Sequence, residues 1–108
     1  MKQGDVFWYR FAPPDKRRPV LVLTRSPALE FLNRVVVAAI TTTIRDIPTE
    51  VRLSKSDGMP SDCVVNLDNA YTVNTADLSV LITSLSRSRM REVSAAIEFA
   101  LGFREMSR

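Results

Sequence analysis

The chain has no histidine, one cysteine and three glycines among its 108 residues. Without histidine there is no Ser-His-Asp or Cys-His nucleophile, no His-liganded zinc site and no histidine pair to cleave a phosphodiester. The single thiol, Cys63, can make neither an intrachain disulfide nor a thiolate metal cluster, and a buried, inert thiol is its expected state. The glycines compose neither a Walker loop nor a dinucleotide fingerprint. The carboxylates of Asp57, Asp62, Asp68 and Asp77 are scattered over expected loops without a constellation, so no metal and no cofactor are expected. No apolar stretch is long enough to span a bilayer, and the Lys2–Asp5 start is not leader-like. The expectation is a cytoplasmic protein with no membrane partner.

What is present suits a folded domain. Hydrophobic residues make up 45% and charged residues 25%, the proportions of an ordinary soluble chain, and 108 residues suffice for one core but not two. A single domain over residues 1–108 is expected. Fifteen Lys and Arg against twelve Asp and Glu leave a net charge of +3. That bias is compatible with a nucleic-acid partner, but where the charge lies matters more than its sum. The stretch KRRPVLVLTR, residues 16–25, sets three adjacent cations at the mouth of a hydrophobic run.

Along the chain, β-branched and aromatic residues recur in short runs. Asp5 to Phe11 predicts a first strand, closed by Pro13 and Pro14. Pro19 fits a strand beginning, and Val20 to Thr24 continues as a strand buried on both faces. Ser26 to Asn33 reads as a loop with room for a helical turn, and Arg34 to Thr42, carrying VVVAAI, as the most central strand. Thr49 to Leu53 alternates apolar and charged residues, which predicts one dry and one wet face. Lys55 to Ser61 is an expected loop. Cys63–Leu67 and Ala70–Val73 read as two short strands broken at Asp68 and Asn69, and Leu78 to Thr83 as the last. This pattern predicts a closed or half-closed antiparallel barrel. The period then changes: Ser86 is an N-cap, Met90, Val93, Ile97 and Leu101 recur at helical spacing, and Gly102 ends the run. Arg87, Arg89 and Arg91 crowd the positive end of this helix, either as a solvated face or as a contact for RNA, a partner or a second subunit.

With histidine absent, arginine beside hydroxyls is the remaining chemistry. A guanidinium matches phosphate oxygens and can neutralise charge developing on phosphorus. Arg18 stands where the loop enters a buried strand. Lys16 and Arg17 precede it and suit steering and phosphate contact. If the second and third strands are neighbours, Thr41 sets a hydroxyl near Arg18. An ordinary solvated strand end beside a satisfied threonine explains the same residues.

The segments GDVFWYRFAP (4–13), RRPVLVLTR (17–25), VVVAAITTTIRDIPTEV (35–51) and DGMPSDCVVNLDNAYTV (57–73), followed by the final helix, resemble in order the MazF/PemK family of toxin-antitoxin endoribonucleases. The resemblance implies a small SH3-like antiparallel β-barrel of the MazF/CcdB toxin type, mostly β, with a packed C-terminal helix. It implies catalytic roles for Arg18 and Thr41. It further implies sequence-specific, metal-independent cleavage of single-stranded RNA, through attack by the RNA 2′-hydroxyl, to 2′,3′-cyclic phosphate and 5′-hydroxyl ends. RNA contacts are expected from the loops Pro13–Arg17, Thr42–Pro48 and Leu53–Ser61, and in particular from Lys16, Arg17, Thr42, Thr43 and Arg45. Expected partners are a homodimer mate and a cognate antitoxin whose disordered C-terminal tail covers the RNA groove.

Two features depart from the family pattern. PPDKRRP closes the first connection in fewer residues than many relatives use, and Tyr71 stands where several carry a basic residue. Tyr71 either stacks on a base or sits at a dimer seam. The alternative from the same fold group is a toxin that binds DNA gyrase without nuclease activity.

Overall fold

The computed structural model describes residues 1–14, 16–78 and 80–103. Asp15, in the expected 13–17 RNA loop, and Ser79, in the expected last strand, lie outside the described residues. Six strands form one antiparallel sheet: β1 (Asp5–Arg10), β2 (Arg17–Val22), β3 (Arg34–Thr41), β4 (Glu50–Leu53), β5 (Cys63–Asn74) and β6 (Leu81–Ser84). One α-helix among the described residues, α1 (Arg87–Leu101), follows. The strand order is β4-β5-β3-β2-β1-β6, so β3 is interior, as its run of small and β-branched residues predicts.

The sheet is curled rather than closed. β4 and β6 are its outer strands, yet the turn after β4 reaches β6, where the Thr83 hydroxyl donates to the Asp57 carbonyl at 2.9 Å. The result is a half-barrel. Gly58, at φ +92°, makes this approach possible, because a Cβ there would lie 2.8 Å from the Thr83 Cβ.

Side chains alternate between two cores. On one face Val6, Leu21, Ile40, Leu53 and Val65 pack beneath the helix with Val93 and Ala96. On the other, Phe7, Val20, Val22, Val37 and Val73 cluster with Tyr9 and Phe11 alongside. Because β1, β2 and β3 contribute to both clusters, they read as continuous apolar runs.

Three expectations are corrected. Cys63 to Asn74 is one strand, not two: the register jumps between Ala38 and Ala39 of β3, and residues 67–69 of β5 bow out of the ladder instead of ending it. The last strand begins at Leu81, since residues 75–77 form a 3-10 turn and Leu78 buries itself in the second core. On α1 the buried face centres on Val93 and Ala96, with Met90 and Ile97 beside them, while Leu101 is 57% exposed. The helix packs on β4 and β5. Its ends are as expected: Ser86 Oγ accepts the Arg89 N–H at 3.1 Å, and Gly102 adopts φ 71°. No helix among the described residues is long and apolar enough to cross a membrane.

Candidate active site

β2 and β3 are neighbours, with Val20 opposite Ala39 and Leu21 opposite Ala38. The ladder ends at Val20 and Ala39; its register extended by two residues would bring Arg18 to Thr41, and the two line the same cavities. Arg18 is held from its other side by pairing with Tyr9 of β1. It is thus the second residue of a strand rather than a loop residue, and its backbone is fixed while its side chain is exposed.

The two side chains are prepared for an anion. No carboxylate of the described residues forms an ion pair with the Arg18 guanidinium. Thr41 is half-buried, and its Oγ1 accepts the Thr43 N–H at 3.1 Å. With one lone pair engaged, the hydroxyl is oriented and keeps its proton to donate.

Two cavities meet at this pair. The first, of about 260 Å³, lies on the sheet face away from the helix and is bounded by Phe11, Tyr71, Asn66, Asn69, Arg45 and Glu50. The second, of about 220 Å³, is bounded by Trp8, Arg17, Pro19, Thr42, Met59 and Cys63. Arg18, Ile40 and Thr41 line both. A single extended chain laid across the strand ends would meet Arg18 and Thr41 with a hollow on either side.

Each wall has a local cause. Glu50 Oε1 accepts the backbone N–H groups of Arg45 at 2.9 Å and Asp46 at 3.0 Å, which folds the β3–β4 connection inward and turns Arg45 to the first cavity. Asp46 takes φ 53°, a region aspartate tolerates better than most residues, and pairs with Arg52 at 2.9 Å. Tyr71 and Phe11 meet edge to face, with ring centres 5.5 Å apart. Across the site, the Arg17 guanidinium stacks over the Trp8 ring at 4.6 Å.

Of the residues singled out from sequence, Arg18, Thr41, Thr43, Arg45 and Tyr71 line the first cavity, and Arg17, Arg18, Thr41 and Thr42 the second. Lys16 is exposed and lines neither. Trp8, Phe11, Asn66, Asn69 and Glu50 were not anticipated. Asn69 is one of the two residues at which the sequence suggests a break in β5 and Asn66 lies just short of it, so a broken strand gives no sign that both face the site.

Burial, with the charges of Asp62 and Asp57 adding to it, pushes the Cys63 thiol up to about 11. It stays a neutral apolar wall at physiological pH, the inert state expected of it. Among the described residues no three His, Cys, Asp or Glu side chains cluster to hold a metal. Asp57 is committed elsewhere, to Arg89 at 3.0 Å and to the Ser54 N–H at 2.9 Å. Arg89 also reaches Glu92 at 2.9 Å, so it belongs to a structural network rather than to a solvated row of arginines.

The sequence and the fold both have relatives among known proteins. A Mycobacterium tuberculosis protein named "Probable endoribonuclease MazF2" is 39% identical over 103 residues, 94% of this chain and 99% of that one. The solved structure of Mycobacterium tuberculosis toxin MazF-mt6 superposes with a TM-score of 0.83 at 36% identity, over 91% of this chain and 96% of the other. A mycobacterial endoribonuclease solved in complex with its cognate antitoxin gives a TM-score of 0.84 at 26% identity, over 94% and 95% of the two chains. The family profile described as "PemK-like, MazF-like toxin of type II toxin-antitoxin system" matches residues 2–101. By sequence and by fold, the chain belongs to the PemK/MazF family of toxins.

Proposed function

We propose that this protein is a sequence-specific endoribonuclease toxin that cleaves single-stranded RNA without a metal, Arg18 and Thr41 acting on the scissile phosphate. The observation that carries this reading is the pair itself: a guanidinium with no carboxylate partner among the described residues and a hydroxyl held by the Thr43 N–H, on neighbouring strands, at the junction of two cavities. The relatives' names supply the reaction class.

In the reaction, the RNA 2′-oxygen bonds to the adjacent phosphorus and the P–O5′ bond breaks. The 2′-hydroxyl loses its proton and the departing 5′-oxygen gains one, leaving 2′,3′-cyclic phosphate and 5′-hydroxyl ends. Negative charge grows on the nonbridging oxygens at the pentavalent stage. Arg18 faces that charge with a fork of donors, and Thr41 donates its hydroxyl to one oxygen. DNA lacks the attacking hydroxyl and is not a substrate, and single-stranded RNA offers the base edges that duplex RNA conceals. Arg17, Thr42, Thr43, Arg45 and Tyr71 contact the RNA from the cavity walls, and Lys16 steers it from outside.

The same reading includes a homodimer and an antitoxin with a disordered tail, met in the cytoplasm. The groove bounded by Leu23, Val36, Ile97 and Leu101, with Val36 and Leu101 both exposed, supports a mate on that side. A relative solved with its cognate antitoxin supports the second partner.

The test is incubation of wild type, Arg18→Ala and Thr41→Ala with long single-stranded RNA in excess EDTA, with cut sites and end groups mapped. Cyclic-phosphate ends at a recurring short motif, lost in both folded variants, are expected. Intact RNA with folded wild type, or cleavage unchanged in both variants, overturns the reading.

A further inference from the structure

Asn66 is more than nine-tenths buried, yet it lines the cavity beside Arg18 and Thr41. It stands where the β3–β5 register jumps, opposite Ala39 on one side and Glu50 of β4 on the other. Directly paired residues share a sheet face, so Asn66 looks onto the same side as the catalytic pair. The bow in β5 immediately after it brings the Asp68 N–H back to Asn66 Oδ1 at 3.0 Å. That bond fixes which way the amide faces. Its oxygen is engaged and its Nδ2 donors have no acceptor among the described residues. Thr49 Oγ1 is the one fully buried side-chain polar atom without a partner among the described residues, so Nδ2 is not sealed off; it opens onto the cavity and can donate to what enters there.

The remaining walls narrow the choice of ligand. Phe11 and Tyr71 form an aromatic flank, with Tyr71 41% exposed and able to stack. Arg18, Arg45 and Asn69 line the same space and, with Asn66, bring more donors than acceptors to its polar side; the one carboxylate there, Glu50, has its Oε1 committed to the Arg45 and Asp46 N–H groups. An aromatic flank, a donor-rich rim and a volume of about 260 Å³ suit one flat ring carrying carbonyl acceptors.

We infer that this cavity takes a nucleobase adjoining the scissile phosphate and that Asn66 selects it, favouring uracil or guanine over cytosine or adenine. The inference rests on the nuclease reading above. Uracil O4 and guanine O6 are acceptors where cytosine and adenine carry amino donors. Asparagine's usual two-point pairing with adenine needs the amide oxygen as well as its NH2, and here the Asp68 N–H already takes one of that oxygen's two lone pairs and fixes its direction.

The experiment compares wild type with Asn66→Asp on a random-sequence single-stranded RNA pool, scoring base frequency at each position around the cuts. Wild type is expected to favour U and G at one position by roughly tenfold, the effect of one hydrogen bond. Asn66→Asp keeps an oxygen for the Asp68 N–H and replaces the donor by an acceptor, so preference at that position alone moves to C and A. Should the variant fail to fold, wild type on oligonucleotides carrying U, G, C or A at each flanking position decides the matter alone. A wild type that cuts with no keto preference at any position overturns the assignment, as does a folded Asn66→Asp with unchanged preferences. A wild type that cuts no RNA overturns the nuclease reading itself, and is distinguishable for that reason.

Discussion

Arg89 of α1 and Asp57 of the turn after β4, thirty-two residues apart in the chain, join through Arg89 Nε and a carboxylate oxygen at 3.0 Å. The contact ties the helix to the turn that forms one wall of the second cavity and reaches β6 through Thr83. Burial works against the Asp57 carboxylate. The Arg89 hydrogen bond, the Ser54 bonds and the guanidinium charge outweigh it, and together hold its pKa below the ordinary value.

A pH dependence follows with a definite sign. A depressed folded-state pKa stabilises the fold fully above the unfolded value, near about 4 for aspartate, and that contribution is lost as pH falls through the folded value. Denaturant melts between pH 7 and pH 3 should show wild type losing stability at the acid end. Asp57→Asn should cost about 2 kcal/mol at pH 7 and flatten the acid slope. Identical slopes for the two proteins would remove Asp57 as the cause.

Gly58 carries both a positive φ and a close approach to Thr83. Gly58→Ala is therefore expected to destabilise by about 2–4 kcal/mol, the strain adding to the overlap. A melting temperature within a degree of wild type would show that the turn relaxes freely.

At the proposed catalytic pair, Arg18 and Thr41, the hydroxyl itself should matter. Thr41→Val keeps the β-branched shape but removes the donor and frees the Thr43 N–H, and should slow RNA cleavage by about a hundredfold or more. Thr41→Ser restores the donor and should recover most of the rate. Equal activity in the Val and Ser variants, measured in single turnover, would reduce Thr41 to a packing residue.

Arg17 is exposed but its guanidinium lies over the Trp8 ring, a position that suits the RNA phosphate contact proposed for it. Binding of a 2′-deoxy oligonucleotide, which cannot be cut, should weaken in Arg17→Ala, with the slope of log K against log salt shallower by about 0.7. Trp8→Leu should weaken binding without changing that slope, since the charge remains. A salt slope unaltered in Arg17→Ala would place that arginine off the RNA path.

Cys63, held at about 11, should react slowly with a thiol reagent at pH 8 in the folded protein and rapidly in denaturant. Equal rates in both conditions would contradict its burial.

Strand and helix positions were largely legible in the sequence because they follow from local chemistry. Asp5–Arg10, Arg34–Thr41 and Glu50–Leu53 are set by β-branched and aromatic runs between turn residues, and α1 by Ser86, the apolar repeat and Gly102. The absence of histidine and the position of Arg18 before Pro19 likewise belong to the sequence. That Arg18 and Thr41 are neighbours depended on β2 pairing with β3, which periodicity cannot report, since it assigns a residue to a face but not to a partner. In the sequence the bow in β5 looks like a break, because local polarity at Asp68 and Asn69 is the same whether a strand ends or bulges. Only the pairing of β5 with β3 and β4 on its two sides decided between them. That pairing also turned Asn66 inward, set Phe11 against Tyr71 and closed the walls around the arginine and the threonine.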